Sequence, residues 1–475
     1  MFRKSVKFIN FTFRNVCEIN IKSYYMSQTQ QFKRFLSLDI LRGLTVAGMI
    51  TVNNPGSWGE PTFAPLRHAA WDGCTPTDLV FPFFLFCVGA SIWFAYRKSN
   101  HELTAPAVGK ILKRGLLIFL VGHLVSYFPF YRFGDIAPEQ SWLGCLCSII
   151  QILGLGLSIG SLVWFSNQKQ TEELDPNYKR RRAIAWTLLG VGLVLAIVPF
   201  PLLLGTPLKS LAKWRILGVF PRIALCFTAG ALLALWLKTY KRISIALVLI
   251  LAFYWIVSAM FGDFTLEGNL GRAIDLAILG DAHMYHGEGI AFDPEGLWST
   301  LPAIGTVLLG YMSGKLMGES TEDVKRNILV LATVGGLLIT LGLILNPYFP
   351  INKKLWSSSY VFYAGGLAMQ VWALFAFLID VRKKTKWTTF FAVFGSNALF
   401  TYCLSTFFVK VWGQSWFKVP IDGGERTVTV FSAWFTTLKE VLPVEFASLL
   451  TSLSLVALCW LVALPLFKRK IFIKL

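Results

Sequence analysis

Residues 38–91 are the most informative stretch of the chain, and they read LDILRGLTVAGMITVNNPGSWGEPTFAPLRHAAWDGCTPTDLVFPFFLFCVGAS. Two apolar runs flank a loop that is rich in Gly, Pro and Trp. Apolar runs of this length are typical of membrane-spanning helices, so we expect the loop to lie at a membrane surface. The loop contains His68, and Arg67, Trp71 and Asp72 are close to it in sequence.

A histidine in such a loop has two interpretations. A histidine side chain exchanges protons near neutral pH, because its unperturbed pKa is about 6.5. His68 is therefore either a functional residue or a solvated loop histidine, and the local pattern leaves both open. Cys74 is a second candidate nucleophile in the loop, although no neighbouring residue in the sequence obviously favours its thiolate form.

The composition indicates a membrane protein. Of the 475 residues, 55% are hydrophobic and 15% are charged, whereas a soluble domain carries about 25% charged residues. A helix needs about 20 apolar residues to cross a bilayer. We therefore predict an all-α, polytopic integral membrane bundle of about twelve transmembrane helices. The predicted spans are residues 36–53, 78–96, 111–130, 142–165, 184–204, 217–237, 242–261, 299–317, 327–346, 358–380, 389–410 and 446–467.

Positive charge predicts the orientation of these spans. The net charge of +19 is spread over the ends of the apolar runs, which indicates a positive-inside bias and not a nucleic-acid partner. This bias places both termini in the cytoplasm and the His68 loop on the outer side. Residues 1–35 then form a cytoplasmic tail, 36–467 the transmembrane domain and 468–475 a basic cytoplasmic tail. Residues 1–25 are either an upstream extension or a floppy tail, and we expect no chemical role for them.

Acidic and aromatic residues collect on the predicted outer side, in the His68 loop and in loops 262–298 and 347–357. Carboxylates bind hydroxyl and ammonium groups, and Trp rings stack on sugar rings, so this composition suits a sugar ligand. The alternative is that long polar loops simply cap a helical bundle. The predicted sugar-binding residues are Trp71, Asp72, Asp293, Glu295 and Trp356.

Seven sequence blocks resemble the heparan-α-glucosaminide N-acetyltransferase family, whose bacterial members are often labelled NagX-like. The blocks occur in the family's order and extend over roughly residues 35 to 410. They are LDILRG at 38–43, RHAAWDG at 67–73, TDLVFPFFLFCVGAS at 77–91, ILGVFPRIAL at 216–225, AFDPEGLWSTLPAI at 291–304, INKKLWSSSYVFYAGG at 351–366 and FGSNALFTY at 394–402.

The resemblance implies a reaction. In this family, acetyl-CoA on the cytoplasmic side donates its acetyl group to an amino sugar on the far side of the membrane. The family's histidine matches His68, which would be the catalytic base or an acetyl carrier. The family's asparagine matches Asn53, which would orient the imidazole or hold the acetyl carbonyl. The resemblance further implies a homodimer in a bacterial inner membrane.

The expected acceptor is smaller than a polymer. Animal members carry a substantial lumenal domain before the first span, and here a short tail precedes it. We therefore expect a monosaccharide, a short oligosaccharide or a cell-envelope glycan with a free amine.

Coenzyme A would need cationic and polar side chains, because the sequence shows no glycine-rich nucleotide-binding motif. Arg42, Arg222, Lys353 and Ser357 are the candidates. Asp39 lies three positions before Arg42, on the same face of the predicted helix, and is expected to form an internal ion pair with it. No metal is predicted, since the spacing of His283 and His286 matches no metal motif.

Two other classes of protein remain possible from the sequence. A secondary transporter for amino sugars would use the same number of spans, buried charges and aromatic sugar site. Transporters often contain internal repeats, and no convincing repeat relates the two halves of this chain. A non-catalytic scaffold agrees least with the polar residues of the outer loops.

Overall fold

The computed structural model describes residues 35–57, 62–131, 141–168, 177–205, 207–319, 323–412, 418–421 and 426–473. The proposed N-terminal extension at residues 1–25 lies outside these ranges. The α-helices are α1 (Leu36–Asn53), α2 (Pro76–Ala95), α3 (Ala105–Tyr127), α4 (Ser141–Gln168), α5 (Tyr178–Ile197), α6 (Pro199–Leu204), α7 (Val219–Leu237), α8 (Tyr240–Phe261), α9 (Leu270–Leu279), α10 (Leu297–Glu319), α11 (Val324–Leu345), α12 (Ser358–Phe375), α13 (Thr389–Ser396), α14 (Ala398–Trp412), α15 (Val430–Val441) and α16 (Val444–Lys468).

The remaining regular structure is small. Helix α12 continues as a π-helical segment over Ala376–Val381. Strands β1 (Lys418–Ile421) and β2 (Arg426–Thr429) pair antiparallel, with Lys418 opposite Thr429. The prediction of an all-α fold is therefore confirmed, with one short hairpin added.

Within the described residues, eight helices are long and apolar enough to cross a membrane. They are α1, α2, α5 with α6, α7, α8, α11, α12 with its π-helical segment, and α16. Helices α13 and α14 make a ninth candidate, but they meet at 88°. The chain is thus a polytopic helical membrane protein.

Three predicted spans, 111–130, 142–165 and 299–317, form helices α3, α4 and α10 but do not meet the same criterion of length and apolar content. Helix α3 carries Lys110, Lys113 and Arg114 in its first half. Helix α10 contains small and polar residues and is buried along most of its length. The predicted total of about twelve spans is therefore not confirmed.

The described residues separate into two compact units. The first is built from the described parts of Met1–His123, Lys213–Cys403 and Ser452–Leu475. The second is built from those of Leu124–Ala212 and Leu404–Thr451. Every site residue predicted from the sequence lies in the first unit.

Glycines set the helix packing of the first unit. At Gly89 of α2, an added Cβ would overlap the carbonyl oxygen of Val307 in α10. At Gly310 of α10, it would overlap the carbonyl oxygen of Phe86 in α2. The two backbones therefore touch directly, as helices in membranes do where small residues face each other. This contact fixes α2, whose first turn carries the candidate site.

Candidate active site

The site begins at the helix cap that joins the His68 loop to α2. Thr75 is the N-cap residue, Pro76 is the first helical residue, and Asp78 completes a capping box with Thr75. The Asp78 Oδ2 atom accepts hydrogen bonds from the backbone N–H of Thr75 and of Ala69, each at 3.0 Å. It also accepts one from the Thr75 hydroxyl at 3.0 Å. These three donors hold the Asp78 carboxylate in one orientation.

The other oxygen of this carboxylate contacts His68. The His68 Nδ1 atom lies 2.6 Å from Asp78 Oδ1. An ionised carboxylate only accepts hydrogen bonds, so Nδ1 carries a proton, and in the neutral imidazole Nε2 is then the nitrogen with the lone pair. The Asp78 side chain is buried, whereas the His68 side chain is 33% exposed. A buried carboxylate that fixes the tautomer of an accessible imidazole is the arrangement that acyl-transfer enzymes use to prepare a histidine base.

Lys353 completes this cluster from a distant part of the sequence. Its Nζ atom lies 3.1 Å from His68 Nδ1, 3.5 Å from His68 Nε2 and 3.7 Å from Asp78 Oδ1. Burial lowers the pKa of Lys353, and the carboxylates of Asp78 and Glu295 oppose this effect. Lys353, predicted as a coenzyme contact, is thus placed beside the candidate catalytic histidine.

The loop that carries Lys353 is held by its own buried polar residues. Asn352 donates to Asp72 Oδ1 at 3.2 Å and accepts from the Leu355 N–H at 2.9 Å. Ser357 is fully buried and caps α12 by accepting from the Tyr360 N–H at 3.3 Å. The structure therefore gives Asp72 and Ser357 visible roles in positioning the Lys353 loop.

Trp71 and Lys354 join three loops at the same place. The Trp71 indole N–H donates to the Phe264 carbonyl at 2.7 Å, and its ring packs against Phe292. Lys354 donates to the Ala70 carbonyl at 2.8 Å and pairs with Glu288 at 2.6 Å. The loops that the sequence predicted on one side of the membrane do meet.

A second charged cluster lies in the loop before α10. Arg215 contacts both Asp293 oxygens, at 2.9 and 2.7 Å, and Glu295 Oε2 at 2.6 Å. Although burial acts in the opposite direction, these carboxylates hold the pKa of Arg215 above its usual value. Burial would raise the pKa of Glu295, but Arg215, Arg222 and Lys353 hold it below its usual value. Glu295 thereby links the second cluster electrostatically to the His68 cluster.

Arg222 is the most unusual cation of the site. It is fully buried and donates through Nη2 to the Gly296 carbonyl at 2.9 Å and to the Ser299 hydroxyl. Among the residues that the structure describes, its Nε and Nη1 atoms have no hydrogen-bond partner. The guanidinium lies 5.2 Å from the ring centre of Trp356, a buried residue whose φ of +55° is costly outside glycine. Buried donors without partners require an acceptor, so Arg222 is suited to bind a carbonyl oxygen or an anion.

Asn53 ends α1 and contacts α14. Its side-chain amide donates to the Tyr402 hydroxyl at 3.1 Å. Tyr402 in turn interacts electrostatically with Glu295 and Arg215. The predicted Asn53 is thus connected to the second charged cluster.

Arg42 lies apart from these residues. Its guanidinium contacts Asp39 at 3.4 Å, the Gly395 carbonyl at 3.4 Å and the Ser91 hydroxyl at 2.5 Å. The expected ion pair with Asp39 is therefore confirmed. Arg42 precedes Asn53 by 11 positions on α1, which corresponds to about 16 Å along the helix. Any contact of Arg42 with coenzyme A would lie at a distance from His68.

Catalysis by a cysteine nucleophile and binding of a metal ion fit the described residues less well. Burial raises the pKa of Cys74 to about 12, so its thiol is a poor nucleophile. No group of three or more His, Cys, Asp or Glu residues in the described ranges is arranged to hold a metal ion. His283 instead contacts the Trp214 carbonyl, and His286 lies near Asp281.

Sequence reasoning missed three residues of the site. Asp78 is the first residue of the predicted span 78–96, and the Thr-x-x-Asp pattern at 75–78 is typical of a helix N-cap. Tyr402 closes the FGSNALFTY block that carried the family resemblance, and Arg215 directly precedes the ILGVFPRIAL block. Their positions next to these blocks were the available signal.

The described residues thus define the class as a polytopic membrane protein, in which a His–Asp pair, an adjacent lysine and a buried arginine belong to one compact unit. Residues 34–171 match the family described as "Heparan-alpha-glucosaminide N-acetyltransferase, catalytic". This segment contains Asn53, His68 and Asp78, whereas Lys353 and Arg222 lie outside it.

Two full-length relatives extend the match. The chain is 26% identical over 388 residues to the heparan-alpha-glucosaminide N-acetyltransferase of Homo sapiens and 24% identical over 401 residues to that of Mus musculus. Each alignment covers 78% of this chain, and 52% and 53% of the two relatives. The chain thus spans about half the length of these relatives. Together these matches show that the chain is similar to the heparan-α-glucosaminide N-acetyltransferase family, both in the segment 34–171 and along most of its length.

Proposed function

We propose that this protein is a transmembrane acetyltransferase, which moves the acetyl group of cytoplasmic acetyl-CoA to the amine of an amino sugar on the outer side of the membrane. We further propose that it acts as a homodimer in a bacterial inner membrane, with both termini in the cytoplasm. The observation that carries the proposal is the 2.6 Å contact between His68 Nδ1 and Asp78, which leaves the Nε2 lone pair of an exposed imidazole available.

The imidazole serves the reaction in one of two ways. As a general base, His68 removes a proton from the sugar ammonium so that the amine attacks the thioester. As a carrier, Nε2 attacks the thioester, the thiolate of coenzyme A leaves, and the sugar amine then takes the acetyl group. In both routes Asp78 stabilises the imidazole in the reactive tautomer.

Both routes form a tetrahedral intermediate with a negative oxygen. Arg222 offers two buried donors without partners, and Asn53 offers an amide. A donor of this kind in a dry site contributes about 3 kcal/mol to the stability of the transition state. We assign the developing oxyanion to these two residues.

The ammonium group of the sugar needs a carboxylate to bind it, in addition to the histidine that takes its proton. Asp293 is buried and fully engaged by Arg215, so its role is to hold that arginine. Glu295 is 13% exposed, pairs with Arg215 and interacts electrostatically with Lys353 of the His68 cluster. We assign recognition of the sugar ammonium to Glu295, with Trp71 as the aromatic wall, and keep Trp356 as the support of Arg222.

The test is acetyl transfer by the purified protein in liposomes, from radiolabelled acetyl-CoA to glucosamine. We expect transfer by the wild type and none above background by His68→Ala. His286→Ala is the matched control, because this histidine is 50% exposed and lies outside the site. If no amino sugar of a panel is acetylated, and labelled sugar instead crosses the bilayer unmodified, the protein is a transporter.

A further inference from the structure

Lys353 is the nearest primary amine to the candidate catalytic histidine. Its Nζ atom lies 3.5 Å from His68 Nε2, the atom to which an acetyl group would be attached. The reacting atoms would be Nζ and the carbonyl carbon bonded to Nε2, so this short distance places the lysine beside the group that it would attack. The side chain is 17% exposed, so the lysine is largely shielded from water that would otherwise compete for the acetyl group.

The surroundings of Lys353 also favour the neutral amine, because burial lowers its pKa. Its neighbour Lys354 is engaged elsewhere: it pairs with Glu288 at 2.6 Å and donates to the Ala70 carbonyl at 2.8 Å. Of the two adjacent lysines, Lys353 is therefore the one that lies beside His68.

We propose that Lys353 is an internal acetyl acceptor, which takes the acetyl group from His68 when no sugar amine occupies the site. The inference rests on the carrier route of the proposed function. The step balances without a further reactant: the neutral Nζ attacks the acetyl carbonyl on His68 Nε2, the new N–C bond forms, and the bond to the imidazole breaks. The amine gives up one proton, which passes to Nε2 of the imidazole and from there to the solvent, so that His68 returns to its starting state with Nδ1 protonated.

The product is an amide, which does not transfer the acetyl group onward. It also removes the positive charge that lies 3.7 Å from Asp78. We therefore expect acetylation of Lys353 to lower the rate of transfer to a sugar. A sugar amine that occupies the site protects Lys353, since it takes the same acetyl group first.

The test uses the intact protein in detergent, where both faces meet one solution. The protein is incubated with labelled acetyl-CoA without a sugar, and its lysines are mapped by mass spectrometry. We expect the acetyl label on Lys353 to exceed that on Lys354 by at least about tenfold, because proximity raises the effective concentration of the acyl group. The label should grow with rising pH, disappear in His68→Ala, and fall when glucosamine is added.

Separate readouts distinguish this inference from the proposed function. Lys353→Arg keeps the positive charge, but its guanidinium is not acetylated. In this variant the acetyl label at position 353 should therefore be lost. Transfer to glucosamine without label on Lys353 would overturn the inference and leave the enzyme class intact. Equal labelling of Lys353 and Lys354, or labelling that persists in His68→Ala, would also overturn it. Absence of both transfer and label would remove the proposed function as well.

Discussion

The replacement Asp78→Asn tests the proposed role of the His–Asp pair. Three donors face Asp78 Oδ2, from the Ala69 N–H, the Thr75 N–H and the Thr75 hydroxyl. An asparagine at this position must therefore place its carbonyl oxygen at the Oδ2 position. Its NH₂ group then faces His68 Nδ1 and donates to it. The imidazole proton is forced onto Nε2, which loses the lone pair that the reaction needs.

The expected loss follows from this tautomer change. In enzymes with a Ser–His–Asp triad, the corresponding change lowers kcat by about 10⁴, which corresponds to about 5.5 kcal/mol of transition-state stabilisation. We expect a decrease in kcat for acetyl transfer of about 10³ to 10⁴ here. The helix cap survives, because the three contacts at Oδ2 are kept, so the thermal stability of the protein should change little.

The assay is acetyl transfer to glucosamine, together with a thermal unfolding curve in the same detergent. Asp281→Asn is the control. Asp281 is an exposed acid on another loop, so this substitution makes the same chemical change outside the site. A value of kcat for Asp78→Asn within about threefold of the wild type would refute the tautomer argument. Loss of activity with a collapse in thermal stability would point to the cap and not to the histidine.

Three further changes have defined expectations. Asn53→Ala should lower kcat by about 10² to 10³ by removing one oxyanion donor, and an unchanged kcat would exclude that role. Arg222→Met should lower transfer at least about tenfold. The melting temperature should not fall, because an apolar group replaces a buried cation with unpartnered donors. Full activity in this variant would remove Arg222 from the mechanism. Burial raises the pKa of Asp275 from 3.8 to about 6, so the contribution of Asp275 to the free energy of unfolding should decrease by about 3 kcal/mol as pH rises from about 4 to 6. Asp275→Asn should not show this fall, and parallel pH curves from unfolding measurements would contradict the assignment.

The membrane helices were predictable because their signal is local. Apolar runs such as Leu36–Asn53 and Val324–Leu345 are long enough to identify without tertiary information. The break between α13 and α14 was not predictable in this way, since the apolar run continues through it. Asn397 at the break instead contacts residues near the C-terminus, with Nδ2 3.0 Å from the Ile471 carbonyl. This contact is invisible in a local pattern.

The candidate site was predictable in part. The three loops that charge alternation predicts on one side of the membrane do contact one another. What each side chain does depends on contacts over hundreds of residues, such as the approach of Lys353 to His68. Trp and Ser side chains often contact ligands, but Trp356 and Ser357 are both buried. Their burial is a tertiary property that no spacing reveals.

The direct backbone contact between α2 and α10 has a mechanical consequence. Helices separated by long side chains can slide, since side chains change rotamers, whereas two touching backbones cannot shift without opening a gap or colliding. Helices α2 and α10 therefore form one rigid unit, and Asp78 belongs to it. Any movement that admits substrates must occur in the connecting loops or in other helices, and the carboxylate behind the histidine stays still throughout the cycle.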